Sequence, residues 1–302
     1  MTSTPPLDVA EDAAALAPGQ IRYGALLLGR ATPYRWTTLT GWEALPGLDS
    51  GTVLRSGAHG AHPGALLAQT RIVGLEDIVI RAEPGHAGEA VRQMRAHLAV
   101  TTDEQPLLVR LDRRGPLLAW VRPVRLDIPI TPPFAVGIAT GGAIEFEASD
   151  PRRYTPAEQT TATGLPEPCL DWHLIPGTTE LRGTPASTGY TTATNAGDAP
   201  THPVITLRGP VDTPSLTHTG TGAVLEYRLT LDPGECLVID TYAGTVTTGD
   251  GTNALDTASP RSHPEHAFTL APGENVLAFR ANPEATPDPR AAADLRWRSA
   301  HW

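Results

Sequence analysis

Short runs of alternating apolar and polar residues, each followed by a Gly or Pro turn, fill the last hundred residues of the chain. Residues 203–208 alternate before Gly209-Pro210, and residues 224–231 alternate before Pro233-Gly234. A period of two places one face of each strand against a core, and regularly spaced turns are typical of sandwiches and jelly rolls. The C-terminal half is therefore predicted to be a β-sandwich.

A strand with a clear stop lies at mid-chain. Ile144 and Phe146 alternate with two glutamates, and Asp150-Pro151 then ends the strand, because proline donates no ladder hydrogen bond. The following residues, 155–203, are crowded with Thr, Gly, Pro and Ala. We therefore predict an arm at 1–20, a first β domain at 21–154 and a second at 155–302, of which 155–200 form a loop-rich entry.

The first domain carries one helical pattern and one hairpin pattern. Apolar residues recur with helical spacing over 88–99, which predicts a helix with one buried stripe. Residues 106–111 and 117–126 are predicted to be two strands joined by the charged turn at 112–116. The glycine-rich stretch 51–64 is predicted to be a loop.

Composition excludes several classes of protein. The 302 residues suit two domains, and all 23 basic residues are Arg. Residues 1–154 hold 15 Arg and 16 acidic residues, whereas 155–302 hold 8 and 17, which argues against a nucleic-acid-binding surface in the second half. Residues 1–20 lack the pattern of a secretory signal, and no apolar run approaches membrane-spanning length.

Cys169 and Cys236 allow one disulfide, but the apolar surroundings of Cys236 favour a buried thiol.

No pattern in the sequence demands catalysis or a cofactor. A phosphate-binding loop of the P-loop type needs Lys, which the chain lacks, and the nucleophile-elbow and His-Glu-x-x-His motifs are absent. His263 and His266 are three residues apart, but Pro264 opposes the helix that would aim both at one ion. We predict that the chain is not an enzyme and holds no cofactor or metal.

Two stretches resemble one known family. The strand that ends in Asp150-Pro-Arg-Arg-Tyr154, preceded by a tryptophan-bearing strand and a glycine-rich loop, resembles the distal tail proteins of long-tailed bacteriophages. The series at 203–209, 231–240, 270–279 and 295–298 resembles the galectin-like C-terminal domain of the same family.

The resemblance implies a mainly β fold, with an N-terminal β-sandwich or split-barrel ring domain that has one helix, and a C-terminal galectin-like jelly roll. It implies a structural protein that forms a homo-hexameric ring at the tail tip of the virion. Implied partners are the tail tube protein, the tail-tip hub or tail-associated protein, the tape measure protein and receptor-binding proteins or fibres; no membrane or sequence-specific nucleic acid is implied.

Two groups of residues are candidate contacts. The hairpin tip Asp112, Arg113, Arg114 and Gly115 is a candidate contact between subunits, and a solvated turn is the alternative. The galectin-like fold also raises binding of a host-surface glycan, for which Trp172, Trp297 and Trp302 are candidate stacking aromatics. A monomeric module that recognises a cell-wall glycan therefore stays open as an alternative, as does a phage-derived injection particle.

Overall fold

The computed structural model describes residues 9–167 and 187–302 and divides into two compact units. Unit 1 comprises residues 1–157 together with His301 and Trp302, and unit 2 comprises residues 158–300. Strands dominate both units, so the prediction of a mainly β chain is confirmed.

The elements of unit 1 follow one another with short connections. In chain order they are α1 (Val9–Ala15), β1 (Gln20–Tyr23), β2 (Leu26–Gly29), β3 (Tyr34–Arg35), β4 (Thr38–Thr40), β5 (Leu48–Asp49), β6 (Val53–Leu54), β7 (Ala61–His62), β8 (Leu67–Ala68), β9 (Arg71–Arg81), α2 (Ala87–His97), β10 (Gln105–Arg110), β11 (Leu117–Asp127), a 3-10 helix (Pro132–Val136), β12 (Ile138–Ala148) and β13 (Arg153–Tyr154).

One antiparallel, barrel-like sheet organises unit 1. Its strand order is β2-β1-β10-β11-β12-β9-β3, with β4 added to β9 and β13 added to β11. Alternate residues of the long strands point into a shared core, as Ile144 and Phe146 do on β12, each with no exposed surface. The glutamates between them lie on the other face, as the period of two predicts.

Helix α2 packs its apolar stripe against this core. Ala90, Val91 and Met94 are buried, whereas Arg92 and Arg95 are exposed. The 3.6-residue period of the helix brings these apolar positions to one face. The helix predicted at 88–99 is therefore present, one residue earlier at its start and two at its end.

The predicted hairpin around the charged turn is also present. β10 and β11 pair antiparallel with Leu108 opposite Leu118, and the turn between them includes Gly115 at a φ of 101°. A left-handed φ of this kind favours glycine, which has no Cβ to clash.

Unit 2 contains two larger antiparallel sheets. Its strands are β14 (Gln159–Gly164), β15 (Tyr190–Asn195), β16 (Val204–Arg208), β17 (Val211–Asp212), β18 (Ser215–His218), β19 (Val224–Glu226), β20 (Thr230–Leu231), β21 (Cys236–Asp240), β22 (Thr245–Thr248), β23 (Gly273–Arg280) and β24 (Ala292–Trp297). Two short 3-10 helices cover Leu255–Thr257 and Glu265–Ala267. The last strand of the chain, β25, covers Ala300–His301 and so begins at the final residue of unit 2.

The two sheets of unit 2 enclose one apolar core, which gives the predicted β-sandwich. One sheet has the order β14-β24-β16-β21-β22, and the other has the order β15-β23-β18-β19. Ile205 and Leu295 from the first sheet and Leu216 and Leu277 from the second belong to the same buried cluster. Alternation along each strand supplies one apolar face per sheet, and burying both faces against each other forms a sandwich.

Buried amides tie loops to the ends of these strands. The Asn275 amide donates to the carbonyl oxygens of Ala193, Ala271 and Gly273, and its Oδ1 accepts a hydrogen bond from the Ala271 N–H. Such buried polar groups are stable only when their hydrogen bonds are made.

The structure differs from the sequence prediction in two segments of unit 1. Residues 9–20 contain α1 and begin β1, and Leu16 is buried, although residues 1–20 were predicted to be a poorly packed arm. Residues 51–64, predicted to be a loop, belong to an extended hairpin in which β5 pairs with β8 and β6 with β7. Each of these strands has only two residues, too few to display an alternating pattern.

Among the described residues, no helix is long and apolar enough to cross a membrane.

Candidate functional site

The predicted contact at the β10–β11 hairpin tip is an exposed, charged turn. The Asp112 carboxylate accepts hydrogen bonds from the backbone N–H of Arg114 at 2.8 Å and from its guanidinium at 2.9 Å. Arg114 also lies 3.5 Å from a Glu43 carboxylate oxygen, so its charge is shared between two acidic residues. The backbone N–H of Arg114, followed by its side chain, lowers the pKa of Asp112.

These contacts determine what the tip can offer a neighbour. Asp112 and Arg114 already form an ion pair with each other, while Arg113 is exposed beside them. Exposed ion pairs contribute little to stability, because solvent screens them. The tip can therefore add orientation and charge to an interface, but it offers little apolar area.

One of the three aromatic residues proposed for glycan stacking, Trp297, is buried. Trp297 is only 5% exposed and its indole N–H donates to the Thr194 carbonyl oxygen at 3.0 Å, so the prediction for this residue is wrong. Its position on β24 directs the ring into the sandwich core, where no sugar reaches its face. Trp302 is half-buried in unit 1, and Trp172 lies outside the described residues.

One of the two histidines considered as metal ligands, His263, and Glu265, which lies between them in sequence, have other partners. The His263 Nδ1 accepts a hydrogen bond from the Val224 N–H, and Glu265 accepts one from the Tyr227 hydroxyl. Within residues 9–167 and 187–302, no group of three or more His, Cys, Asp or Glu side chains could hold a metal ion.

A buried arginine fastens the mid-chain junction of unit 1. Arg71, at the start of β9, is 1% exposed. Its guanidinium donates to the carbonyl oxygens of Gly41 at 2.6 Å, Ala44 at 2.7 Å and Pro151 at 2.6 Å, and to that of Trp42 at 3.2 Å. Desolvation by burial, reinforced by Arg153, lowers its pKa to about 10, which still leaves it charged at neutral pH.

The adjacent arginines complete this junction. Arg153 lies over the Trp42 ring, 5.7 Å from its centroid, and donates to the Trp302 carbonyl oxygen. Arg152 pairs with Asp150 at 2.7 Å. Residues 150–154 carry the resemblance to the distal tail proteins, but this cluster was not among the predicted sites. One signal for it lies in the sequence, because Arg71 is two residues before Val73 and four before Leu75, on the strand face that alternation predicts to be buried.

The most unusual surface of unit 1 is the extended hairpin formed by residues 48–68. Five of the fifteen large apolar side chains that are exposed among the described residues lie in it: Leu48, Val53, Leu54, Leu66 and Leu67. Leu54, near the tip, is 82% exposed. Clustered exposure of this kind is typical of a surface that meets another protein. Sequence reasoning missed it because the segment was predicted to be a plain loop.

An open pocket lies elsewhere on unit 1, at the edge of the sheet. It has a volume of about 290 Å³ and is bounded by β2, the turn that follows it and helix α2; its lining residues are Ala25, Leu26, Leu27, Ala31, Thr32, Pro33, Tyr34, Gln93 and His97. Two hydrogen bonds fix its wall, from the Tyr34 hydroxyl to the Ala90 carbonyl oxygen and from the Thr32 hydroxyl to the Gly29 carbonyl oxygen.

Comparison with known proteins identifies what this architecture resembles. Residues 196–297 match the family model for the C-terminal domain of the siphovirus-type tail component. The fold resembles the crystal structure of SPP1 Dit (gp 19.1), described as a paradigm of the hub adsorption apparatus in phages that infect Gram-positive bacteria. That match has a TM-score of 0.64 and 12% identity, and covers 93% of this chain and 98% of SPP1 Dit.

Two structures of the phage p2 baseplate in its activated conformation also match. The complex with Ca has a TM-score of 0.47 and the complex with Sr a TM-score of 0.46, each at 9% identity and covering 92% of this chain and 96% of the other. No curated protein matched the sequence. The family match and the fold of SPP1 Dit confirm the resemblance to distal tail proteins that the sequence indicated.

Proposed function

We propose that this chain is a structural distal tail protein of a long-tailed bacteriophage and forms a hexameric ring at the tail tip. The observation that carries the proposal is the match of residues 196–297 to the siphovirus-type tail component. The SPP1 Dit fold, which extends over 93% of the chain, supports the same function for unit 1 as well. The chain acts by assembly rather than by catalysis.

Unit 1 is the part of the chain that closes the ring. A ring arises when one surface of a subunit binds a different surface of the next and the rotation closes after a few copies. Unit 1 carries both an exposed apolar hairpin and a separate apolar pocket, which are surfaces suited to such an interface. The tip at Asp112–Gly115 is proposed as an additional polar contact at the rim.

The ring joins the tail tube protein on one side to the tail-tip hub or tail-associated protein on the other. Further partners in this proposal are the tape measure protein and the receptor-binding proteins or fibres, and the location is the tail tip of the virion. Unit 2, which carries most of the negative charge of the chain, is proposed to project from the ring as the outer domain.

Electron microscopy of the purified full chain in negative stain tests this function. We expect rings with six-fold symmetry and a central hole, whose diameter does not depend on protein concentration. A monomer at every concentration that is also retained on host cell walls would contradict the ring, and would favour the alternative of a carbohydrate-binding module.

A further inference from the structure

The extended hairpin at 48–68 lacks the support that a two-stranded ribbon needs. β6 and β7 pair only with each other, as do β5 and β8. An isolated two-stranded hairpin is marginally stable in water, and stability normally requires further strands or a covering element. Among the described residues of unit 1 no element covers Val53 and Leu54, which are 65% and 82% exposed.

The composition of this hairpin is that of an interface core. Within residues 48–68 only two side chains, Asp49 and Arg55, carry a full charge at neutral pH. Protein interfaces are depleted of charged residues at their centre, whereas solvated loops usually carry them. The composition of the hairpin therefore favours packing against another protein over exposure to solvent.

The pocket at the edge of unit 1 offers a matching surface. Its lining includes Leu26, Leu27 and Pro33. Among the described strands, β2 at its border has a single hydrogen-bonded neighbour, β1. An edge strand of this kind leaves backbone N–H and C=O groups open to pairing with another chain. Apolar side chains and an open strand edge thus occur side by side at the pocket.

The same chain carries both the apolar hairpin and the apolar pocket, so a second copy of the chain can occupy the pocket. An apolar projection and an apolar pocket at different places on one subunit make a heterologous contact, which repeats from copy to copy and closes into a ring when the rotation allows it. We propose that the tip of the extended hairpin at 48–68, centred on Leu54, inserts into the β2–α2 pocket of the next copy. This inference rests on the proposed ring and identifies the surfaces that close it.

Cysteine cross-linking between two different variants tests the contact. Cys169 and Cys236 are replaced by Ser in every sample, and one chain then carries Leu54→Cys while the other carries Gln93→Cys, since Gln93 is an exposed residue that lines the pocket. A disulfide requires Cα atoms within about 7 Å, so only close surfaces cross-link. We expect cross-linked dimers in the mixture and none in either sample alone.

Arg95→Cys is the matched control, because Arg95 is exposed on the same helix but does not line the pocket. Mixed with Leu54→Cys, it should give little cross-linking. Equal cross-linking at Arg95 and Gln93, or a Leu54→Cys chain that cross-links to itself, would overturn the proposed contact.

A second variant measures the strength of the contact. Leu54→Asp removes the free energy that burial of the leucine side chain contributes to association, so the association constant should fall at least tenfold. Circular dichroism and thermal unfolding of the separate chain should stay unchanged. Val276→Asp, at an exposed apolar position of unit 2, should leave association unchanged.

The outcomes separate this inference from the proposed function. Rings that persist unchanged in Leu54→Asp would overturn the hairpin contact and leave the tail-ring function standing. Wild-type chains that never associate would contradict the ring and the contact together.

Discussion

At the scale of single residues, Arg71 acts as a clamp between distant parts of the backbone. Its guanidinium reaches carbonyl oxygens near residue 42 and, through Pro151, the start of the mid-chain junction. Buried carbonyl groups that lose their donors carry a desolvation penalty, and a charged donor makes stronger hydrogen bonds than a neutral one. One side chain therefore holds two loops, residues 41–44 and the start of the mid-chain junction, in place.

Replacing Arg71 with Met should lower the free energy of unfolding by about 3 kcal/mol or more, because four carbonyl oxygens lose their donor while the volume is largely kept. Urea denaturation measures this change. The matched control is Arg125→Met, since the Arg125 side chain is 53% exposed and its pair with Glu145 is worth about 0–1 kcal/mol. Equal losses in the two variants would contradict the clamp.

Tyr227 is the residue whose protonation should affect stability. It is fully buried in unit 2 and its hydroxyl donates to a Glu265 carboxylate oxygen at 3.0 Å. Burial, followed by the negative charge of Glu265 and this hydrogen bond, raises the pKa of Tyr227. The folded protein therefore keeps this proton at a pH where the unfolded chain, with a pKa of about 10, releases it.

Because the unfolded state then binds fewer protons, stability should fall as the pH rises above about 10. In Tyr227→Phe the fall between pH 9 and pH 11, measured by urea denaturation relative to pH 8, should be smaller than in the wild type. Burial also raises the pKa of Tyr23 in unit 1, so part of the fall should remain. Tyr190→Phe, at an exposed position, is the control, and an unchanged fall in Tyr227→Phe would refute the assignment.

Neither residue could have been assigned these roles from the sequence. The carbonyl partners of Arg71 lie 27 to 80 positions away, and Glu265 lies 38 positions from Tyr227. Local patterns report which face of a strand is buried, but not which distant loop reaches a given side chain. Trp297 shows the same limit, because its residue type suggested a sugar platform and its register on β24 buried it.

At the scale of elements, prediction succeeded where a pattern extends over several residues. The β10–β11 hairpin combines two alternating runs with a charged, glycine-containing turn, and helix α2 displays three turns of an apolar stripe. The extended hairpin at 48–68 gave no such signal, because its paired segments are two residues long and alternate with glycine. Its exposed leucines became informative only once the fold showed that no described element of unit 1 covers them.

Helix α2 and strand β23 each anchor the core of one unit, through Met94 and Leu277, both with no exposed surface. Truncating a buried side chain of this size to Ala costs about 2–5 kcal/mol, because it removes apolar contacts and leaves a cavity. Met94→Ala should therefore destabilise unit 1, and Leu277→Ala should destabilise unit 2.

At the scale of the whole molecule, two separate cores predict two unfolding events. Calorimetry of the full chain should resolve two transitions, of which Met94→Ala lowers one and Leu277→Ala lowers the other. The substitutions Arg95→Ala and Thr192→Ala, at positions outside the two buried clusters, should shift neither transition by more than a small amount. A single transition that both core variants lower equally would contradict independent units.

The order of these elements along the chain gives it a fold similar to that of SPP1 Dit. The composition and the turn spacing were enough to predict a mainly β chain with a C-terminal sandwich, because both properties are repeated many times over the sequence. Assembly could not be predicted in this way, because it depends on contacts between a few exposed side chains of one copy and the surface of another. In the proposed ring, the exposed hairpin and the pocket between β2 and α2 supply the surfaces for that step.

Native mass spectrometry of the purified full chain tests the central claim most directly. The proposed ring predicts one dominant species at six times the chain mass of 31.9 kDa, about 191 kDa, without a ladder of smaller oligomers. Closure explains the absence of a ladder, because each added subunit makes one contact and the last makes two. A chain that stays at 31.9 kDa at every concentration, or an open series of oligomers without a preferred size, would contradict it.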